Sequence, residues 1–209
     1  MPDDMDDIYR NIPPDRIPWN IESPPDILVM LVESGMIKPF RTIDLGCGAG
    51  HYAIYLAGRG FLVTGVDLSL KAIEMARKNA ERRGVECTFL VADVLGNLEG
   101  IGEPFSFAYD WELLHHIFPS DRKRYVENVV RLLAPGSMYL SICFHDDDPQ
   151  FGGFGKYRHT PLGTTLYFSS VRELEDLFSP HFSIMELKII SIQGKTGLHK
   201  ANYALMKKD

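Results

Sequence analysis

The order of apolar runs in the middle of the chain is the feature that most limits its fold. Between residues 41 and 144, apolar runs of strand length alternate with segments whose apolar residues recur at helical spacing. The predicted strands lie at 41–45, 62–67, 87–92, 105–109 and 138–144, and the predicted helices at 51–59, 69–83 and 121–133. Strands separated by helices are typical of βαβ units, whose right-handed crossovers build a parallel sheet.

The last third of the chain has a different order of predicted helices and strands. One predicted helix at 169–178 is followed by two β-like runs at 183–192 and 201–207. Only a short turn region separates these runs, which indicates a hairpin and a strand antiparallel to its neighbours. The expected fold is therefore an open α/β sheet, mostly parallel, with one antiparallel strand near the C-terminus and helices on both faces.

Proline content separates the first 25 residues from the rest of the chain. Six of the thirteen prolines fall in this stretch, and each proline removes a backbone donor and fixes φ. We therefore expect an irregular N-terminal arm over residues 1–25 and a single domain over 26–209. The total length of 209 residues is ample for one buried core.

Charge and cysteine usage restrict the partners of the chain. Its 28 acidic and 22 basic residues give a formal charge of −6, and four acids (Asp3, Asp4, Asp6 and Asp7) cluster at the N-terminal tip. The remaining body is nearly balanced, so it has no general attraction for phosphate backbones. No apolar run approaches the roughly 20 residues of a membrane span. Three cysteines without a CxxC pair favour reduced thiols. We expect a cytoplasmic monomer or homodimer that binds neither nucleic acid nor membrane.

A glycine-rich turn over residues 42–50 follows the first predicted strand and precedes a helix. Ligands of open α/β sheets bind at the carboxyl ends of the strands, near the point where strand order reverses. Counting from Gly46 and Gly48, the third position of a dinucleotide fingerprint is His51, whose bulk disfavours nicotinamide and flavin cofactors. The chain also lacks the Gly-Lys-Ser/Thr sequence that grips a triphosphate.

Three acidic residues end three successive predicted strands. Asp44 precedes the glycines and suits a ligand with a cationic amine rather than a phosphate. Asp67 can accept hydrogen bonds from both hydroxyls of a ribose, at roughly 1.5–3 kcal/mol for each charge-assisted bond. Asp93 can accept from the exocyclic amine of a purine. Together they describe a pocket for an ammonium, a ribose and a base.

These motifs resemble those of a known family. Residues 44–50, 65–69, 92–94 and 133–136 resemble, in order and spacing, the successive motifs of class I S-adenosylmethionine (SAM)-dependent methyltransferases. The resemblance extends from about Trp19 to Phe144, and the stretch from Pro18 to Pro24 is similar to the thiopurine and tellurite-resistance group of small-molecule methyltransferases. It implies a Rossmann-like methyltransferase sheet.

The resemblance also implies a set of cofactor contacts. SAM, and its product S-adenosylhomocysteine (SAH), would lie with the methionine portion at the glycine turn, the ribose on Asp67 and the adenine amine on Asp93. Asp110 would bind or orient the cofactor, and Trp19 and Tyr9 would fold over the mouth of the site from the arm. The full set of expected cofactor residues is Asp44, Gly46, Cys47, Gly48, Asp67, Leu68, Asp93, Val94, Asp110 and Trp19.

Methyl transfer from a sulfonium is an in-line displacement, so holding the acceptor in attack geometry supplies much of the acceleration, roughly 7–11 kcal/mol. Where the acceptor needs a base, His116, His115 and His145 are the candidates, because imidazole titrates near neutral pH. One member of an adjacent histidine pair often points into the core.

Residues 145–148 read His-Asp-Asp-Asp, a combination that can bind a divalent metal. Consecutive strand residues alternate faces, so these side chains should not converge on one ion. We therefore expect a solvated acidic loop and no metal site.

The sequence favours a SAM-dependent methyltransferase that acts on a small, partly apolar acceptor. The alternative is a SAM- or SAH-binding regulatory or partner protein without turnover. Methylation of RNA is disfavoured by the absence of a basic stripe. The aromatic and glycine-rich segment 151–159 is either a lid, with Lys156 and Arg158 meeting an anionic acceptor group, or an ordinary exposed connection with two buried anchors.

Overall fold

A computed structural model describes residues 5–102 and 104–209 of the chain. Asp3 and Asp4 of the acidic tip lie outside these residues. The strands are β1 Arg41–Leu45, β2 Leu62–Asp67, β3 Thr88–Val91, β4 Phe105–Trp111, β5 Leu133–Phe144, β6 Tyr157–His159, β7 Thr165–Tyr167, β8 Phe182–Gly194 and β9 Gly197–Lys208. The α-helices are α1 Met5–Asn11, α2 Asp26–Glu33, α3 His51–Ala57, α4 Leu70–Arg83, α5 Pro119–Leu132 and α6 Val171–Phe178, with 3₁₀ turns at Pro14–Arg16 and Leu114–His116.

Seven strands form the central sheet in the order β3-β2-β1-β4-β5-β9-β8. Neighbours from β3 to β5 are parallel, and β9 runs antiparallel to both β5 and β8. The predicted fold class is confirmed, including the single antiparallel strand. Strand order reverses between β1 and β4, and this reversal opens a crevice at the carboxyl ends of the two strands.

Two apolar layers cover the sheet, one on each face. Buried residues of α2, α3 and α4 pack on one face, and those of α5 and α6 pack on the other. In α5, Val126 and Val129 are buried in the second of these layers. The helix begins at Pro119, two residues before the predicted start, with Phe118 as the N-cap.

The prediction that residues 1–25 are irregular was wrong for α1. The prolines of the described arm begin at Pro13, so residues 5–11 are free to form a helix that buries Ile8 and Tyr9. Asp6 of α1 accepts hydrogen bonds from the Ser69 hydroxyl (2.7 Å) and the Lys71 amide (2.7 Å) at the start of α4. These bonds lower the pKa of Asp6 to about 2. The arm is therefore docked on the domain.

The three-residue strands β6 and β7 pair into a small hairpin outside the main sheet. Sequence periodicity did not predict them, because three residues are too few to show alternation. Among the described residues, no helix is both long enough and apolar enough to cross a membrane.

Candidate active site

The glycine turn lies where strand order reverses, directly after β1. The Gly46 and Cys47 amides both donate to the Val66 carbonyl, at 2.8 and 2.9 Å, and so tie the turn to β2. Gly48 has a φ of 52°, and a Cβ at this position would lie 2.6 Å from the Tyr9 hydroxyl oxygen. The close approach of another group to the backbone requires glycine here.

Asp67 ends β2 and joins the glycine turn to the start of α4. Its carboxylate accepts from the Gly48 amide (2.8 Å) and from the Ser69 amide (2.9 Å). Burial raises the pKa of Asp67, while these two amide bonds act in the opposite direction. The carboxylate is thus held in a fixed position at the crevice.

Asp44 lies one strand away and is buried. It sits opposite Tyr109 in the register of β1 and β4. Burial raises the pKa of Asp44 to about 7, and the charges of Asp67 and Asp110 add to this effect. A bound ammonium group would reverse the shift, because an opposite charge favours the ionised carboxylate.

The arm covers the glycine turn. The Trp19 indole donates to the Tyr9 hydroxyl at 2.9 Å, and this hydroxyl faces Gly48. The Trp19 ring also meets His116 edge-on, with 6.3 Å between ring centroids. The structure thereby brings Trp19, Tyr9 and His116 together near the turn.

Leu68, Asp93 and Val94 lie along the rim formed by the ends of β2 and β3. The Ala92 amide donates to the Asp67 carbonyl at 3.0 Å, which joins the two strand ends. Leu68 is 62% exposed, Asp93 is exposed and Val94 is partly buried. The Asp93 carboxylate accepts from the Leu95 amide at 2.8 Å. The adenine contact of Asp93 remains a prediction.

The three histidines occupy different environments. His116 is partly buried, and burial lowers its pKa to about 4. His115 is buried deeper and stacks on Phe144 at 4.2 Å, with its pKa well below the usual value. His145 lies beyond β5, where its amide donates to the Lys200 carbonyl at 3.0 Å. Of the three, only His116 contacts the arm residue Trp19.

Asp110 has a different role from the one expected. Its buried carboxylate accepts hydrogen bonds from the hydroxyls of Tyr125 (3.0 Å), Ser141 (3.1 Å) and Tyr139. Because β4 alternates faces, Asp110 points away from Tyr109 and toward the layer of α5 and α6. The expectation that Asp110 binds or orients the cofactor was wrong, since its carboxylate is held in the core by these hydroxyls.

We expect Asp110→Ala to destabilise the fold by about 3 kcal/mol, because three buried hydroxyls would lose their acceptor. Urea unfolding followed by circular dichroism measures this change. Asp176→Ala, which removes an exposed carboxylate on α6, is the matched control and should change stability by less than about 0.5 kcal/mol. Equal stability of the two variants would contradict the structural role.

The acidic stretch after β5 is not a uniformly solvated loop. The chain turns there, and the ligand atoms of His145, Asp146 and Asp147 lie within 4.8 Å of one another. The expectation that these neighbours diverge was therefore wrong for these three residues. Asp148 is buried, and its carboxylate accepts from the amides of Gln150 and Lys200. This carboxylate stabilises the turn.

In the segment 151–159, the two basic residues Lys156 and Arg158 form bonds within the chain. Arg158 donates to the carbonyls of Asp146 and Gln150 and lies 4.0 Å above the Phe168 ring. Lys156 pairs with Asp146 at 3.1 Å and with Glu173. These bonds favour an ordinary connection with buried anchors over a contact of Lys156 and Arg158 with an acceptor.

A cavity of about 780 Å³ opens between the arm and the β8–β9 turn and reaches α3 at Tyr52 and the end of β4 at Trp111. Its lining includes residues 20–27, residues 191–195, Tyr52 and Trp111. The Tyr52 and Trp111 rings meet edge-on at 5.9 Å. They give the cavity an aromatic wall that suits a flat, partly apolar molecule.

Glu112 follows Trp111 and was not singled out from the sequence. It is one of two non-glycine residues with positive φ among the described residues, at 64°. Burial raises the pKa of Glu112 to about 7. Burial also raises the pKa of Tyr52, and the charge of Glu112 adds to this effect. Strained backbone and a perturbed carboxyl next to a cavity wall are features of functional sites. The sequence hint was an acid between Trp111 and the apolar pair Leu113-Leu114.

Comparison with known proteins agrees with this geometry. Residues 43–136 match the family model described as methyltransferase domain. A 2-heptyl-1-hydroxyquinolin-4(1H)-one methyltransferase of Mycobacteroides abscessus is 34% identical over 141 residues, which are 65% of this chain and 61% of that protein. The chain thus spans less than two thirds of the length of this relative.

Two solved structures share the fold. One, from work on the conversion of a disulfide bond into a thioacetal group during echinomycin biosynthesis, has a TM-score of 0.81 and 29% identity, and covers 98% of this chain and 91% of the other. The magnesium protoporphyrin IX methyltransferase of Synechocystis, solved with SAM bound, has a TM-score of 0.66 and 19% identity, and covers 88% and 77%.

The sheet order and the likeness to these solved structures show a Rossmann-like methyltransferase fold, and residues 43–136 are similar to a methyltransferase domain. The Synechocystis enzyme of this fold is solved with S-adenosylmethionine bound. The residues at the crevice fit this cofactor, because the Asp67 carboxylate is fixed beside the glycine turn by the Gly48 amide.

Proposed function

We propose that this chain binds SAM at the glycine turn and transfers a methyl group to a small, partly apolar acceptor held in the cavity lined by Tyr52 and Trp111. The observation that carries the proposal is the Asp67 carboxylate, which the Gly48 and Ser69 amides fix at the end of β2, beside the glycine turn. When bound, SAM supplies an activated methyl group on a sulfonium, so the chain mainly has to bind and orient.

The chain's own residues divide this work. Asp67 would hold the ribose hydroxyls, Asp44 the ammonium end and Asp93 the adenine amine. Tyr9 and Trp19 would cover the site and exclude water, as the resemblance to the thiopurine and tellurite-resistance group implies for the arm. The contact of both aromatic residues with the turn region supports this role.

The acceptor class follows from the cavity wall. Tyr52 and Trp111 offer flat apolar surface, and Glu112, whose pKa burial raises to about 7, follows Trp111 in the chain. The quinolone named for the Mycobacteroides relative, an aromatic ring with an alkyl chain, agrees with an acceptor of this kind. The alternative of a binding protein without turnover is not favoured, because it gives no reason for this cavity.

Calorimetric titration of the purified protein with SAM, SAH and NAD tests the proposal. Binding of SAM and SAH but not NAD is the expected result. A screen of thiols, phenols and hydroxylated heterocycles, followed by mass spectrometry for a gain of one methyl group, then identifies the acceptor. The absence of SAM and SAH binding at millimolar concentration would overturn the proposal.

The arm provides an independent prediction. Arg10 and Arg16 are both exposed, so trypsin can reach them when the arm undocks. If the arm closes over the bound cofactor, saturating SAH should slow cleavage at both sites several-fold, because local opening would then have to break cofactor contacts as well. Cleavage at the exposed Arg59 beyond α3 is the control. An unchanged rate at Arg10 and Arg16 would contradict capping by the arm.

A further inference from the structure

The turn between β8 and β9 reaches across to the N-terminal arm. Lys195 and Thr196 form this turn, between the end of β8 and the start of β9. The Lys195 Nζ donates hydrogen bonds to the carbonyls of Pro14 (3.3 Å) and Asp15 (3.0 Å). These bonds join two segments that are far apart in the sequence, so they fix the position of the turn relative to the arm.

All three of these residues line the cavity of about 780 Å³. Pro14 and Asp15 belong to its arm side, and Lys195 belongs to the side formed by the end of β8 and the turn. The two hydrogen bonds of Lys195 therefore connect the two sides of the cavity directly. The aromatic residues Tyr52 and Trp111 form the wall between these sides.

The Pro14 carbonyl also connects this contact to the glycine turn. It accepts a second hydrogen bond from the Asn20 Nδ2 at 2.9 Å, and the Asn20 Oδ1 lies 3.0 Å from the His51 Nε2. An amide oxygen only accepts, so the imidazole donates from Nε2. His51 begins α3 directly after the glycine turn. A chain of hydrogen bonds thus runs from the start of α3 through the arm to Lys195.

The contact of Lys195 is placed where it can open. Lys195, Pro14 and Asp15 are all exposed, so water competes for the ammonium and for both carbonyls. Hydrogen bonds in contact with solvent break locally at a small fraction of the free energy of global unfolding. The turn can therefore separate from the arm to admit a molecule to the cavity and then bind to the arm again.

We propose that Lys195 is a positioning residue for the methyl acceptor, because it ties the β8–β9 turn to the arm and so holds the two sides of the cavity around a bound acceptor. The inference rests on the proposed function, which places the acceptor in this cavity. The arm that covers the cofactor site then also forms one side of the acceptor site. Loss of the ammonium should release the turn from the arm and leave the rest of the fold unchanged.

Three variants test this role. Lys195→Met removes the ammonium but keeps a long side chain, Lys195→Arg keeps a charged donor, and Lys200→Met changes an exposed lysine of β9 as the matched control. The initial rate of trypsin cleavage after Arg16, next to Asp15, should rise at least about fivefold in Lys195→Met, because opening no longer breaks charge-assisted hydrogen bonds. The other two variants should be cleaved there at the wild-type rate, and all four proteins equally after Arg59.

Kinetics distinguish a positioning role from a purely structural contact. With an acceptor that the screen identifies, Lys195→Met should raise the KM for the acceptor at least about fivefold while kcat stays within about twofold, because binding is lost equally in the ground state and the transition state. Lys195→Arg should restore the wild-type KM. Lys200→Met should leave both constants unchanged.

Cleavage of Lys195→Met after Arg16 at the wild-type rate would overturn the inference, and so would an unchanged KM for the acceptor. Either result would leave the proposed function intact, since that function is tested by the binding of SAM and SAH to the wild type. If the wild type binds neither, the proposed function fails and the acceptor role of Lys195 fails with it. Trypsin cleavage alone would then still show whether Lys195 holds the turn to the arm.

Discussion

Asp67→Ala should lose at least about a hundredfold in SAM affinity while the protein remains folded. Two charge-assisted hydrogen bonds to ribose hydroxyls contribute roughly 1.5–3 kcal/mol each, and about 2.7 kcal/mol already corresponds to a hundredfold. The carboxylate also fixes the Gly48 amide, at 2.8 Å, so its removal loosens the turn. Isothermal titration with SAM and SAH measures the change directly.

Two further variants make the Asp67 result specific. Asp67→Asn keeps one acceptor oxygen but removes the charge, so its affinity should fall between those of the wild type and Asp67→Ala. Asp176→Ala removes an exposed carboxylate on α6 and should bind SAM as the wild type does. Affinity of Asp67→Ala within about twofold of the wild type would exclude Asp67 from the cofactor site.

Glu112→Gln should lower the turnover number by roughly 10²–10⁴-fold without changing SAM affinity, if Glu112 removes the proton of the acceptor. The amide has nearly the shape of the carboxylate but cannot accept a proton. The pH profile identifies the base: kcat/KM should rise as pH passes through about 7, the pKa to which burial raises Glu112. A base at His116 would instead give a rise near pH 4.

Stability provides the folding control for this variant. A carboxyl whose folded pKa is raised contributes stability below its unfolded pKa, and this contribution is lost as pH rises through the folded value. At pH 8 the wild type therefore carries the cost of an ionised, partly buried Glu112, and Glu112→Gln should unfold at the same or a higher temperature. Full activity of a folded Glu112→Gln would remove Glu112 from the mechanism.

The fold of this chain was largely determined by local patterns. Strands β1 and β2 were predicted to the residue, because each apolar run is flanked by residues that end it. The hairpin at the C-terminus followed from two β-like runs joined by a turn. Such patterns follow from the periodicity of side chains along one segment, so they can be read without knowing which other segments pack against it.

The position of the site could also be predicted from local sequence, since Asp44, Asp67 and the glycines lie at strand ends. The roles of individual side chains could not be predicted in this way. Asp44 on β1 and Asp110 on β4 lie on opposite faces of the sheet. Hydrogen bonds from Tyr125 and Tyr139 hold the Asp110 carboxylate in the core. Glu112 acquires its raised pKa from burial, which depends on residues distant in sequence.

The sequence by itself determined the sheet, the crevice and the class of ligand, because periodicity, glycine and acid positions are properties of single segments. Only the tertiary structure decided that a helix of the arm reaches the glycine turn. It also decided that Arg158 and Lys156 form hydrogen bonds and ion pairs within the chain. The side-by-side position of Tyr52 and Trp111 on one cavity wall depends on it as well. The physical reason is that desolvation and hydrogen-bond partners are set by long-range packing, whereas backbone periodicity is set by neighbouring residues.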